Sequence, residues 1–315
     1  MSDKMPKTII IGAGFSGLYS AYSLKDSLVI GNKDPALFSK MNDSYIVLRY
    51  DERIRWLLSK LGINYKKQKL KILYLYQGKL YSRPTHEMIE VYTEKAYGKL
   101  PDKIFYGYSI NSYDICDVKY SELIDKLYSN VSSKVLVDTV TSVDINNKKV
   151  KTASGKEFGY QYLISTIPLN IFLEIAGINN TIKFGSVPLW VYKSQYPRDK
   201  FTQILVIDKE STILRYLHGA DDIAFFEASA KQENYLDPDG NKEPYIYLKN
   251  GKIFRYEDSH ELEEVIADLE TNHDVYMVGR FAEWKPHYDT EDVISRVNEV
   301  AYNIATANIT EAYWV

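Results

Sequence analysis

The chain has 315 residues, 45% hydrophobic and 26% charged, with a formal net charge of -3. That is long enough for a sizeable core in two joined subdomains, and it carries no basic excess of the kind nucleic-acid binding calls for. Cys116 is the single cysteine, which excludes an internal disulfide and a cysteine-based metal site and fits a reducing, cytoplasmic setting. No apolar run approaches the roughly 20 residues of a membrane helix, and the first residues lack the apolar centre of a signal peptide, so no membrane span is expected.

Thr8 to Ile11 are β-branched and apolar, as in a buried parallel strand. Gly12, Gly14 and Gly17 follow in G-x-G-x-x-G spacing, and Leu18, Ala21, Tyr22 and Leu24 recur at helical spacing. In a strand–loop–helix of this kind the first glycine permits the tight turn and the second lets backbone approach a pyrophosphate. The third lets the helix pack closely, and free N–H groups at the helix start, near Phe15, attract phosphate. Ser16 reads as a phosphate contact, because no Ser-His-Asp set surrounds it. Ser27 to Ile30 is a second strand. The acidic residue that normally follows it to hold a ribose is replaced by Gly31 and Asn32, or displaced to Asp34. Asn32 offers a neutral hydrogen-bond partner instead.

Farther on, helices are expected over Asp51 to Leu61, ended by Gly62, then Thr85 to Tyr97 and Tyr120 to Val131. Lys71 to Tyr76 and Lys79 to Tyr81 flank the turn Gln77-Gly78 as a hairpin, and Lys66 to Lys69 reads as a solvated loop. Val135 to Val137, Val140 to Ile145 and Val150 to Ala153 form a short meander. It leads into the apolar strand Tyr162 to Pro168 and a short helix from Leu169 to Ala176. Strand patterns dominate residues 184–256, separated by turns such as Asp237-Pro238-Asp239-Gly240, and read as an antiparallel substrate sheet. A helix over Ser259 to Glu270, a buried strand from Val275 to Arg280 and a closing helix from Thr290 to Ala307, capped by Asp289 or Thr290, complete the chain.

Three segments stand in order: Gly12-Ala13-Gly14-Phe15-Ser16-Gly17, Tyr162-Leu163-Ile164-Ser165-Thr166-Ile167-Pro168, and Val278-Gly279-Arg280-Phe281-Ala282-Glu283-Trp284-Lys285. Together they resemble the flavin-dependent superfamily of UDP-galactopyranose mutase, protoporphyrinogen oxidase and amine oxidases, most closely the mutase-like branch. The resemblance spans residues 7 to about 305. It implies an α/β fold in which a Rossmann-like FAD-binding domain (1–50, 115–180 and 271–315) is interleaved with an antiparallel-sheet substrate subdomain (51–114 and 181–270). FAD is the implied cofactor. Flavin contacts are implied at Gly12, Gly14, Phe15, Ser16, Gly17, Val140, Thr166, Gly279, Arg280, Thr290, Glu291 and Asp292, with Asn32 at the ribose.

Arg280 matches one arginine that a mutase sets against the diphosphate of its sugar nucleotide, and Arg215 looks like the second. A guanidinium binds such a group through two parallel hydrogen bonds and stays charged at any relevant pH. Each arginine has an alternative partner in a structural carboxylate, for instance Glu283 or Glu227. His287, before the closing helix, is a candidate acid or base, as is His218 near Arg215. Trp284 is either core or a flavin-edge aromatic. The sequence departs from the family at the missing acidic residue after the second strand and at the Gly-Gly motif, where Asp34 to Phe38 stand. It departs again at a pair of tyrosines, of which at most Tyr288 remains. An FAD-dependent oxidoreductase acting on a small molecule is the first expectation. A redox-neutral mutase on a sugar nucleotide is the second, with an anionic substrate, and a degenerate, non-catalytic Rossmann protein is the third. No metal and no nucleic acid are expected.

Overall fold

A computed structural model describes residues 6–32, 46–97, 112–220, 223–229, 246–254, 260–286 and 288–313. The chain divides into two units: residues 1–39, 123–183 and 258–315 form the first, and residues 40–122 and 184–257 the second. The first passage through unit 1 is β1 (Thr8–Ile11), α1 (Phe15–Ser23) and β2 (Ser27–Gly31). Unit 2 then begins with β3 (Leu48–Arg49), α2 (Glu52–Lys60), β4 (Lys66–Tyr76), β5 (Lys79–Tyr81), α3 (His86–Tyr97) and β6 (Ser112–Asp117). Helix α4 (Tyr120–Val131) leads to β7 (Val135–Val137), β8 (Val140–Asp144), β9 (Lys149–Thr152), β10 (Glu157–Gly159), β11 (Tyr162–Ser165) and α5 (Leu169–Ile175). Unit 2 is completed by β12 (Gly185–Ser194), β13 (Thr202–Val206), β14 (Ile213–His218), β15 (Ala224–Ser229) and β16 (Ile246–Phe254). The chain closes unit 1 with α6 (His260–His273), β17 (Val275–Met277) and α7 (Thr290–Tyr313).

Unit 1 is built on a five-stranded sheet in the order β17-β11-β1-β2-β7, with every pair parallel. Parallel strands covered on both faces need continuous apolar runs, and Ile9, Ile10, Val29, Leu163 and Val275 are all fully buried. The sheet order puts β1 and its glycine loop at the middle of the carboxyl edge, where open α/β sheets place ligands. The meander β8-β9-β10 forms a separate antiparallel sheet, and α6 packs on β17. Helix α6 thus belongs to unit 1, whereas the sequence reading put residues up to 270 in the substrate subdomain.

Unit 2 carries a nine-stranded sheet in the order β16-β12-β15-β14-β13-β4-β6-β3, with β5 on β4. It is antiparallel apart from the β4–β13 pair, which is parallel. Helix α3 covers one face, where Tyr74, Met88, Tyr92, Ala96, Leu189, Leu205 and Leu214 share a buried cluster. Lys66 to Lys69 are not a loop: they begin β4 and pair with β6, and Lys67 meets Asp114 at 2.7 Å across the strands.

Local signals set most element ends. Asp51 caps α2 by accepting the Arg53 N–H at 2.8 Å, and Gly62 beyond its end takes φ +68°. Asp289 precedes α7, and its N–H donates to Asp292 Oδ2 at 2.9 Å, an acidic version of the capping box. The last strand is shorter than expected: β17 stops at Met277, and Gly279 and Arg280 lie in the turn that follows.

Candidate functional site

The glycine loop follows the register of the sheet. The Gly12 N–H donates to Ile30 O at 2.8 Å, and Gly12 takes φ +104°. A Cβ there would lie 2.3 Å from Thr166 Oγ1, and one at Gly17 would lie 1.9 Å from Gly12 O, so neither position tolerates a side chain. Thr166 Oγ1 donates to Ile11 O at 2.9 Å and props the loop from beneath.

Gly14 differs from both. It has φ -79° and ψ -172°, which any residue adopts, and a Cβ would meet nothing within 4 Å. Nothing among the described residues demands glycine there. Gly14 is also the N-cap of α1, whose first turn has no side-chain cap and no acidic residue. The positive dipole end of α1 thus lies at Gly14 with no side-chain cap among the described residues. Phe15 is buried and stacks on Tyr19, with ring centroids 5.9 Å apart.

The turn after β17 meets this loop. Gly279 takes φ +111°, and a Cβ there would stand 2.7 Å from Ser16 Oγ. The next residue, Arg280, has a buried Nε with no hydrogen-bond partner among the described residues. A buried guanidinium nitrogen left unmatched costs free energy, so a ligand acceptor at this point would be favoured. Glu283, 2% exposed, accepts the Gly279 N–H at 3.3 Å and pairs with Lys285. Trp284 is 1% exposed and sits in the core. Thr290, Glu291 and Asp292 form the first turn of α7; Glu291 is buried and Asp292 is engaged in capping. Tyr288 lies beside Glu283, and burial, then the Glu283 charge, push its phenol well above the ordinary range. Asn32 is exposed just past β2, and Val140 opens β8. His287 and Asp34 lie outside the described residues, as does the segment 237–240.

Arg215 belongs to unit 2, on β14, directly opposite Glu227 on β15. One terminal nitrogen donates to Glu227 Oε1 at 2.8 Å, and Nε lies 2.7 Å from Oε2 in a bent ionic contact. Lys252 Nζ, which no sequence signal singled out, stands 3.8 Å from the same carboxylate. The structural partner weighed for Arg215 is thus the one it has. His218 is buried, with Nδ1 2.9 Å from Pro197 O. Among the described residues no group of His, Cys, Asp and Glu is arranged to hold a metal ion, and no helix is long and apolar enough to cross a membrane.

A parallel sheet with the glycine loop at its centre, joined in chain order to a large mixed sheet, defines a Rossmann-like two-unit α/β fold. Solved structures share it over nearly the whole chain. Reduced UDP-galactopyranose mutase is similar with a TM-score of 0.72 at 12% identity, covering 96% of each chain. The CLA-producing fatty acid isomerase from P. acnes is similar with a TM-score of 0.62 at 12% identity, covering 97% of this chain and 99% of its own. Putrescine oxidase bound to putrescine is similar with a TM-score of 0.59 at 13% identity, covering 96% and 99%. The resemblance read from the three motifs thus holds at the level of the fold. No protein-family model and no curated protein matches the sequence.

Proposed function

We propose that this chain is a flavin-dependent enzyme that binds FAD along Gly12 to Gly17, with the pyrophosphate at the start of α1. One observation carries the reading: Gly14 has a backbone conformation open to any residue, and among the described residues nothing lies within 4 Å of where its Cβ would stand and no side chain caps the helix that it opens. Glycine there has a reason only if something must come closer than a side chain permits. The buried, unmatched Nε of Arg280 beside Gly279 adds a cationic donor to the same unit. Bound FAD would supply hydride or electron chemistry; the protein supplies binding, orientation and electrostatics. Gly12, Gly17 and Gly279 set the approach distance, Thr166 props the loop, and Asn32 lies at the end of β2 for the ribose. Val140, Thr290, Glu291 and Asp292 remain proposed contacts carried by the family resemblance.

The finer reading is an oxidoreductase of the amine-oxidase type with a small-molecule substrate. The mutase reading needs two arginines on a diphosphate, and Arg215 is already held by Glu227; it rests on Arg280 and stands second. Gly14→Val tests the cofactor site directly, because a Cβ there meets nothing within 4 Å among the described residues. The variant should keep the parent's melting temperature without FAD and lose FAD binding, read as flavin absorbance retained after gel filtration. Full flavin occupancy in Gly14→Val would defeat the assignment. Titrating the loaded parent with amines, carboxylates and UDP-sugars, and following flavin absorbance and bleaching, separates oxidase from mutase.

A further inference from the structure

Glu283 carries a buried negative charge in unit 1 that no sequence argument assigned to the cofactor site. The turn it belongs to is closed on itself. The Glu283 N–H donates to Gly279 O at 2.8 Å, the Lys285 N–H donates to Arg280 O at 2.9 Å, and Leu169 N–H of α5 donates to Phe281 O at 3.0 Å. The carboxylate then reaches back into the same turn. Oε1 accepts the Gly279 N–H at 3.3 Å, Oε2 pairs with the Lys285 ammonium, and the Tyr288 phenol is hydrogen-bonded to it. Lys285 Nζ also lies 5.3 Å from the centre of the Tyr288 ring. Three donors from three positions thus converge on one buried acid, which is what burying such a charge requires.

What this arrangement holds is the approach of Gly279 to the phosphate loop. Gly279 sits against Ser16 with no room for a Cβ, and Arg280 follows it directly. A small rotation of the turn would move both. We propose that Glu283 is a positioning residue: by tying the Gly279 N–H to Lys285 and Tyr288, it fixes the turn that presents Arg280 to the cofactor at the glycine loop. This rests on the FAD reading above. The carboxylate charge matters as well as the shape. An amide in its place would turn an NH2 toward either the Gly279 N–H or the Lys285 ammonium, donor against donor.

The test is FAD affinity, measured by quenching of flavin fluorescence, in the parent, Glu283→Gln, Arg280→Ala and the double variant. The expected result is at least a tenfold loss in Glu283→Gln, measured at a temperature where its FAD-free form, destabilised by the donor-against-donor contact, is still folded by circular dichroism. The double variant should bind no more weakly than Arg280→Ala alone, since residues acting through one another are not additive. The visible spectrum of bound FAD in Glu283→Gln should also shift toward that of Arg280→Ala. Additive losses, or parent-like affinity in Glu283→Gln, would overturn the proposal while leaving the FAD reading intact. No FAD binding by the parent would overturn both. If Glu283→Gln does not fold, Glu283→Asp takes its place: it keeps the charge but shortens the reach to the Gly279 N–H, and the same non-additivity with Arg280→Ala is expected.

Discussion

Gly31 ends β2 at the place where an acidic residue would hold a ribose, and its neighbours explain why none stands there. A Cβ on Gly31 would lie 2.5 Å from Ala13 Cβ and 3.1 Å from Ala13 N, so the strand end is pressed against the glycine loop. Gly31→Glu should therefore destabilise the protein by about 1–3 kcal/mol, the usual cost of overpacking. Asn32 is exposed and free of that constraint. Asn32→Glu should tighten FAD binding by the worth of a charge-assisted hydrogen bond, about 1.5–3 kcal/mol, or roughly ten- to a hundredfold in Kd. Isothermal titration of the two variants checks the contrast; equal effects from both would mean that neither position reaches the ribose. Arg215 shows another limit at this scale. Its type and its strand were readable, but its commitment to Glu227 follows from the β14–β15 register, which places the two residues opposite each other. No spacing along the chain reports that register.

At the scale of elements, α1 carries the proposed cofactor site at one end and is held from outside at the other. Lys134 Nζ donates to Ala21 O at 2.9 Å and to Leu24 O at 2.7 Å, covering the carbonyls that the last turn leaves open. Its positive charge also complements the negative end of the helix dipole. Lys134→Met should cost about 1–3 kcal/mol, from two hydrogen bonds to a charged group. The loss appears as a lower melting temperature without FAD, partly restored at saturating FAD because the ligand binds only the folded state. An unchanged melting temperature would show that water serves those carbonyls equally well. Elements of this kind were legible where apolar periodicity met a cap or a glycine: β1, α1, α2, α3, α4, α5 and α7 all fall close to their expected places. The misses share a physical cause. Lys66 to Lys69 of β4 are polar, and Glu157–Gly159 of β10 carry one apolar residue, Phe158, too few for alternation, so backbone pairing with β6 and β9 makes them strands. The parallel β4–β13 pair joins segments more than a hundred residues apart, beyond what local pattern records. At the candidate site, the glycine loop was legible because its constraints are local. The Gly279–Glu283 turn was not, since its shape depends on Ser16 and on a folded carboxylate.

Across the whole molecule, ionisable groups set a stability profile whose sign follows from their shifts. Asp51, Asp138, Glu157 and Glu261 have carboxyls held below their ordinary range by hydrogen bonds, Asp138 at about 2. Their contribution is present above the unfolded carboxyl range and is lost as pH falls through the folded values. Tyr74 is pushed up to about 12 by burial, and Tyr92 is raised likewise, so the stability they carry is full below pH 10 and is lost above it. Between these limits, among the described residues, Lys95 of unit 2 has its ammonium pKa lowered to about 7. Its Nζ donates to Val206 O at 2.8 Å and Ile213 O at 2.6 Å, clamping the ends of β13 and β14. Burial nevertheless lowers its pKa from 10.5 to about 7. From about pH 7 to 10.5 the unfolded chain then binds more protons at Lys95 than the folded one, and stability rises with pH across that window. Calorimetric melting at pH 7, 8 and 9 should give a rising melting temperature for unit 2, with no matching rise in Lys95→Met. The same flat profile in parent and variant would mean that the two carbonyls keep the ammonium charged, with their attraction outweighing the cost of burial.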